Sequence, residues 1–166
     1  MKRAELLAPA GDMERLTMSL AYGADAVYLA GNTFGMRAFA GNFDREKMTR
    51  AVQLAHAKGV RVHVTCNTLA RNHEIAKLPE YLEFLESIGV DAVIGAGVDV
   101  LSLAHRYAPH VEVHMSTQTG ITNYEMARVW HDLGAKRVIL ARELSLDEVA
   151  EICATAPSDL EVEAFV

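Results

Sequence analysis

The strongest constraint on this chain is a unit that recurs three times: a glycine that ends a helix, a one- or two-residue turn, and a short buried strand. The copies are Gly23-Ala-Asp-Ala-Val-Tyr-Leu29, Gly89-Val-Asp-Ala-Val-Ile94 and Gly134-Ala-Lys-Arg-Val-Ile-Leu140. A helix feeding a strand in this way, repeated along a chain, forces parallel pairing, because each strand must be carried back by a crossover before the next begins.

The full alternation predicts strands at Glu5 to Ala8, Ala26 to Ala30, Val60 to Cys66, Ala92 to Gly95, Val111 to Met115, Arg137 to Ala141 and Leu160 to Val166. Between them, apolar residues recur at helical spacing, as in Met48, Ala51, Val52 and Ala55, or Leu78, Tyr81, Leu82 and Leu85. Each helix can therefore lay one stripe on a sheet. Ser145 with Glu148 and Thr122 with Glu125 have the spacing of capping boxes, while Gly23, Gly59, Gly89 and Gly134 mark helix ends.

About seven strands and six helices, with no glycine-rich dinucleotide loop after the first strand, predict a parallel β/α barrel of the TIM type rather than an open doubly wound sheet. The last run ends inside a strand with no helix or polar tail behind it. The expectation is a single domain over residues 1–166 holding an incomplete barrel.

A hydrophobic share of 51% supports a real core. The net charge of −6 excludes a generally basic nucleic-acid footprint, so any RNA contact has to be local. Cys66 and Cys153 form no Cys-x-x-Cys pair, which argues against a disulfide framework or zinc knuckle and for a reducing cytoplasm. No apolar run reaches the ~18 residues of a membrane span, so no membrane partner is expected.

Barrel chemistry sits at the C-terminal ends of strands. That rule selects Arg37 and Asn42 in the loop after the second strand, where Phe34, Phe39 and Phe43 also offer faces to a planar anionic or base-like ligand. It selects Asn67 after the third strand. After the fifth it selects His114, Ser116 and Gln118, which share one side of the strand by the period of two and can converge on one pocket. Arg142 and Glu143 follow the sixth strand; the arginine can grip a carboxylate or phosphate, or the two can form an ion pair or helix cap. Glu163 is a carboxylate in an apolar run and needs a partner or a raised pKa. His114 and Glu163 are the catalytic candidates; Arg37, Asn42, Asn67, Ser116, Gln118, Arg142 and Glu143 are the substrate-binding candidates. No metal site is expected among them.

Several motifs fail. There is no Gly-x-Ser-x-Gly elbow, and His73-Glu74 is followed by Lys77 where a zinc helix needs a second histidine. Gly95-Ala-Gly97 starts like a dinucleotide fingerprint but meets Val100 where glycine is required.

Five ordered blocks nevertheless carry a resemblance: Glu5-Leu-Leu-Ala-Pro-Ala-Gly11, Tyr22-Gly-Ala-Asp-Ala-Val-Tyr28, His114-x-Ser-Thr-Gln118, Arg142-Glu-Leu-Ser145 and Glu163-Ala-Phe165. Together, over essentially the whole chain, they resemble the collagenase-like peptidase family U32. The resemblance implies that Glu163-x-Phe165 opens a signature whose later cysteines hold an iron–sulfur cluster. Cys66 and Cys153 are not at those positions, so the cluster is expected only in a full-length protein.

Some family members are described as proteases, while others resemble enzymes that hydroxylate a tRNA or rRNA base or act in oxygen-independent quinone hydroxylation. With no nucleophile–base arrangement visible, and with Arg37 and Arg142 available for an anionic co-substrate such as prephenate, hydroxylation of an RNA base is the favoured expectation. A base would have to be single-stranded or flipped to enter the mouth. The alternatives are a peptidase built on His114 and Ser116, acting on a peptide, and a non-catalytic scaffold whose open edge pairs with a second copy.

Overall fold

The computed structural model describes residues 3–36 and 42–166. Seven strands form one parallel sheet whose spatial order is their order along the chain. They are β1 (Leu7–Pro9), β2 (Ala26–Ala30), β3 (Arg61–Cys66), β4 (Ala92–Gly95), β5 (Glu112–Met115), β6 (Arg137–Ile139) and β7 (Glu161–Glu163). All strands but the second and fourth are shorter than the sequence pattern predicts, the seventh most of all. The connecting helices are α1 (Met13–Ala21), α2 (Arg45–His56), α4 (Leu78–Ser87), α5 (Val98–Tyr107), α6 (Tyr124–Asp132) and α7 (Leu146–Thr155). One extra turn, α3 (Asn72–Ile75), precedes α4. The expected incomplete TIM-like barrel is the architecture found.

The register explains how one sequence gives this sheet two unlike faces. Pairings such as Ala26 with Arg61, His63 with Ala92, Ile94 with His114 and Arg137 with Glu161 align residues that point the same way. The alternate residues Val27, Val62, Val64, Val93, Val113, Met115 and Val138 point toward the helices, and all are buried in one apolar cluster. Helix stripes meet them: Met48, Ala51, Val52 and Ala55 from α2 and Leu78, Tyr81, Leu82 and Leu85 from α4 are buried as their spacing predicts. Burying a leucine-sized side chain in such a layer contributes roughly 2 kcal/mol.

Helix ends follow the sequence signals with one exception. Gly23, Gly59, Gly89 and Gly134 all adopt left-handed φ, from 71 to 102°, a conformation that costs glycine little and β-branched residues much. Ser145 and Glu148 form the reciprocal capping box that opens α7. At α6, however, Asn123 and not Thr122 is the cap, its side-chain Oδ1 accepting the Met126 N–H at 2.9 Å. In the repeated turns, the Asp25 carboxylate accepts the Leu6 N–H at 2.9 Å and the Asp91 carboxylate the Val62 N–H at 2.7 Å. Each aspartate therefore fastens its own strand to the preceding one.

Candidate functional site

The inward face of the sheet mixes Ala26, Ala92, Ile94 and Ile139 with charged and imidazole groups on β3, β5, β6 and β7, and the charged side chains are tied across the barrel rather than along it. Arg137, on β6, is almost wholly buried and donates to Glu5 at 2.8 Å, to Glu161 at 2.5 Å and to Glu163 at 3.1 Å. Arg61, on β3, pairs with Glu112 on β5 and lies 3.8 Å from Glu5. Because Glu5 precedes β1, its bond to β6 shows how far the sheet curls. Four carboxylates thus surround two guanidinium groups whose fork geometry lets each satisfy several partners.

Alongside this network sit two histidines. His63 and His114 are both fully buried, and their rings meet edge to face with centroids 4.7 Å apart. Burial, with a smaller contribution from the neighbouring His114, drives the His63 pKa down to about 2. Burial also lowers His114, although its hydrogen bond to Glu112 opposes the shift. That 3.3 Å contact, together with Arg61, holds the Glu112 carboxyl down at about 2. The consistent assignment is a neutral His114 whose Nε2–H donates to an ionised Glu112. Among the described residues, His114 Nδ1 and both nitrogens of His63 have no hydrogen-bond partner.

Glu163, the other catalytic candidate, is half-buried; desolvation raises its pKa while Arg137 pulls it the other way. Both candidates therefore belong to the interior. The substrate-binding candidates lie higher and do not form one constellation. The fifth strand stops at Met115, and Ser116 caps a single 3-10 turn, Thr117–Thr119, closed by Gly120 at φ 65°. The expected alternation of His114, Ser116 and Gln118 along one strand is thus broken, leaving Ser116 buried and Gln118 exposed. Gln118 Nε2 lies against Met36 Sδ, and the Met36 N–H points to Asn67 Oδ1 at 3.4 Å, so Met36 joins Asn67 to Gln118 across the mouth.

Arg142 stands apart, stacked over the Phe165 ring at 4.4 Å, and like Glu143 it is exposed. Among the described residues the two form neither an ion pair with each other nor the cap of α7. Asn42 is half-buried, with no partner for its Nδ2 among the described residues. Arg37 and Phe39 lie outside them.

Sequence reasoning missed Arg61, His63, Glu112 and Arg137. The signal was present as Arg61-x-His63-x-Thr65 and Glu112-x-His114-x-Ser116, polar at every second position. Restricting attention to strand ends discarded it.

The geometry speaks against serine-type hydrolysis: Ser116 Oγ is linked weakly to Gln118 and shares no hydrogen bond with His114. Nor do these residues suit an iron–sulfur cluster. Cys66 faces the apolar layer with its thiol pushed up to about 12 by burial, and Cys153 is exposed on α7. Among the described residues, no group of three or more His, Cys, Asp or Glu side chains is placed to hold a metal ion.

The model of peptidase family U32 matches residues 11–166. The chain belongs to this family. It is similar to the tRNA hydroxylation protein P1 of Bacillus subtilis, with 39% identity over 99% of this chain and 39% of that protein. It is 42% identical to the tRNA hydroxylation protein P of Helicobacter pylori, over 100% of this chain and 39% of the relative. The 23S rRNA 5-hydroxycytidine C2501 synthase of Escherichia coli is 35% identical over 99% of this chain and 24% of that enzyme. The chain thus spans about two fifths of the tRNA hydroxylation proteins it matches. Among solved structures, the U32 peptidase Mk0906 superposes with a TM-score of 0.78 over 98% of this chain and 69% of its own, at 17% identity, which is a likeness of fold. No described helix is long and apolar enough to cross a membrane.

Proposed function

We propose that this chain is barrel-forming sequence of an RNA-hydroxylating protein whose substrate is a tRNA base. The observation that carries the reading is the similarity, over 99% of the chain, to a tRNA hydroxylation protein. The interior is in keeping with it: two neutral imidazoles and a ring of fixed charges provide polar groups on the inner face of the sheet, and among the described residues of that face no nucleophile is hydrogen-bonded to a base. Glu112 would fix the His114 tautomer with its proton on Nε2, leaving Nδ1 to accept a hydrogen bond. Arg142, at the mouth, would meet an anionic co-substrate. The iron–sulfur centre implied for the full-length protein would draw its ligands from outside the described residues, and no step here depends on it. A cytoplasmic location fits this substrate.

The test is nucleoside mass spectrometry of total tRNA from a strain lacking the gene. A nucleoside carrying one extra oxygen should disappear and return when the full-length protein is supplied. Full-length protein carrying His114→Gln should restore much less of it. An unchanged nucleoside profile in the deletion strain would overturn the reading.

A further inference from the structure

A cavity of about 400 Å³ opens beside the mouth, between the loop after β2 and the first turns of α2 and α4. Its walls combine two kinds of group. The half-buried Phe34 and Phe84 flank the buried Tyr81 ring, at 5.4 and 6.3 Å between centroids, so that Tyr81 holds the two partly open rings in place. Arg45 lies over the Phe84 ring at 4.8 Å while paired with Glu80 at 2.6 Å, and Lys77 stands exposed at the rim with no ion pair among the described residues.

The placement of Phe34 is enforced. It is the one non-glycine described residue with positive φ, at 64°, and its carbonyl oxygen accepts both the Thr68 N–H at 3.1 Å and the Thr68 Oγ1–H at 3.2 Å. Strained backbone held this firmly is characteristic of binding sites. Gly31 contributes by omission, since a Cβ there would overlap the Tyr81 hydroxyl. Phe34 is thereby turned away from the barrel axis and toward α4.

We propose that this cavity binds an unpaired nucleotide of the substrate RNA, next to the base presented to the barrel mouth. The inference rests on the RNA-hydroxylation reading and extends it to a second contact. Aromatic faces stack on any base, a guanidinium held over a ring adds a cationic surface, and Lys77 lies where the adjoining phosphate would pass. Glu80 is paired with Arg45 and Asp44 with the Lys47 ammonium at 3.8 Å, which offsets the carboxylates that would otherwise repel the RNA backbone.

The experiment uses the full-length protein with tRNA transcripts carrying 4-thiouridine. Irradiation should join RNA to peptides containing Phe34 or Phe84. Phe84→Leu should raise the Kd for tRNA about ten-fold. Lys77→Ala, at an exposed position that folding does not need, should lower the slope of binding against salt by about one. If the unaltered protein hydroxylates tRNA but both variants bind as it does and the crosslinks map elsewhere, the cavity is not an RNA site. If the unaltered protein neither binds nor modifies tRNA, the functional reading fails along with it.

Discussion

The two faces of the seven-stranded sheet are made of opposite materials. Toward the helices, every alternate residue from Val27 to Val138 is apolar and buried; toward the axis, Arg61 and His63 of β3 face Glu112 and His114 of β5 across Ala92 and Ile94 of β4, and Arg137 and Glu163 follow on β6 and β7. Barrels of this type usually fill the axis with branched apolar side chains. Here the outer layer supplies the hydrophobic stabilisation, and the interior is left free to carry charge. Polar interiors contribute weakly to stability even when fully paired, so an interior of this kind points to function.

The comparison can be tested most severely at Arg137. Arg137→Ala leaves Glu5, Glu161 and Glu163 facing one another without their shared cation, and is expected to cost roughly 3 to 5 kcal/mol in urea unfolding of the full-length protein. A loss below about 1 kcal/mol would show that the interior ring is not an interdependent network. A smaller loss is expected in the outer layer. Leu16→Ala in α1 empties a fully buried site and should cost about 3 kcal/mol, yet leave the proposed tRNA hydroxylation unchanged per folded full-length molecule. Loss of activity in the folded variant would blur the division between the two faces.

The third effect is a slope against pH. Because burial holds His63 at about 2 in the folded chain, against an ordinary 6.5, the unfolded chain takes up a proton that the folded one refuses. Its neutral burial contributes stability that is fully present above pH 6.5 and is lost as pH falls from there toward 2. Glu112, also held near 2, adds to the loss once pH drops below its ordinary 4.5. His63→Leu should therefore flatten the decline in melting temperature between pH 6.5 and 4.5, leaving the steeper fall below it. An unaltered slope would place the acid sensitivity elsewhere, with His114, whose pKa burial also lowers, the next group to replace.

The fold was legible because it depends on periodicities that a local sequence carries. The stripe Met48, Ala51, Val52 and Ala55, and the glycines ending each helix, state their roles within a few residues. The cap of α6 was not legible to the residue: Thr122 and Asn123 are both good caps, and only the backbone path decides that Asn123 reaches Met126. The site was harder because its contacts are long-range. Nothing near Glu5 in sequence announces a bond to Arg137, and Gln118 looks like a strand residue until Ser116 turns the chain. Glu163 was legible as a carboxylate needing a partner; the partner was not.

The aspartates of the repeated turns bear on how the molecule comes into being. Asp25 secures the approach to β1 and Asp91 the start of β3, and every strand pairs with its immediate predecessor. No strand waits for a partner made much later, so during synthesis each strand–helix unit can dock on the one already in place as it leaves the ribosome. The Glu5 bond to Arg137 is different: it joins residues 132 positions apart, and can form only after β6 has been laid down. The inner charge ring is then closed only after β7 has joined the sheet, and its completion records that the curl of these seven strands has been reached.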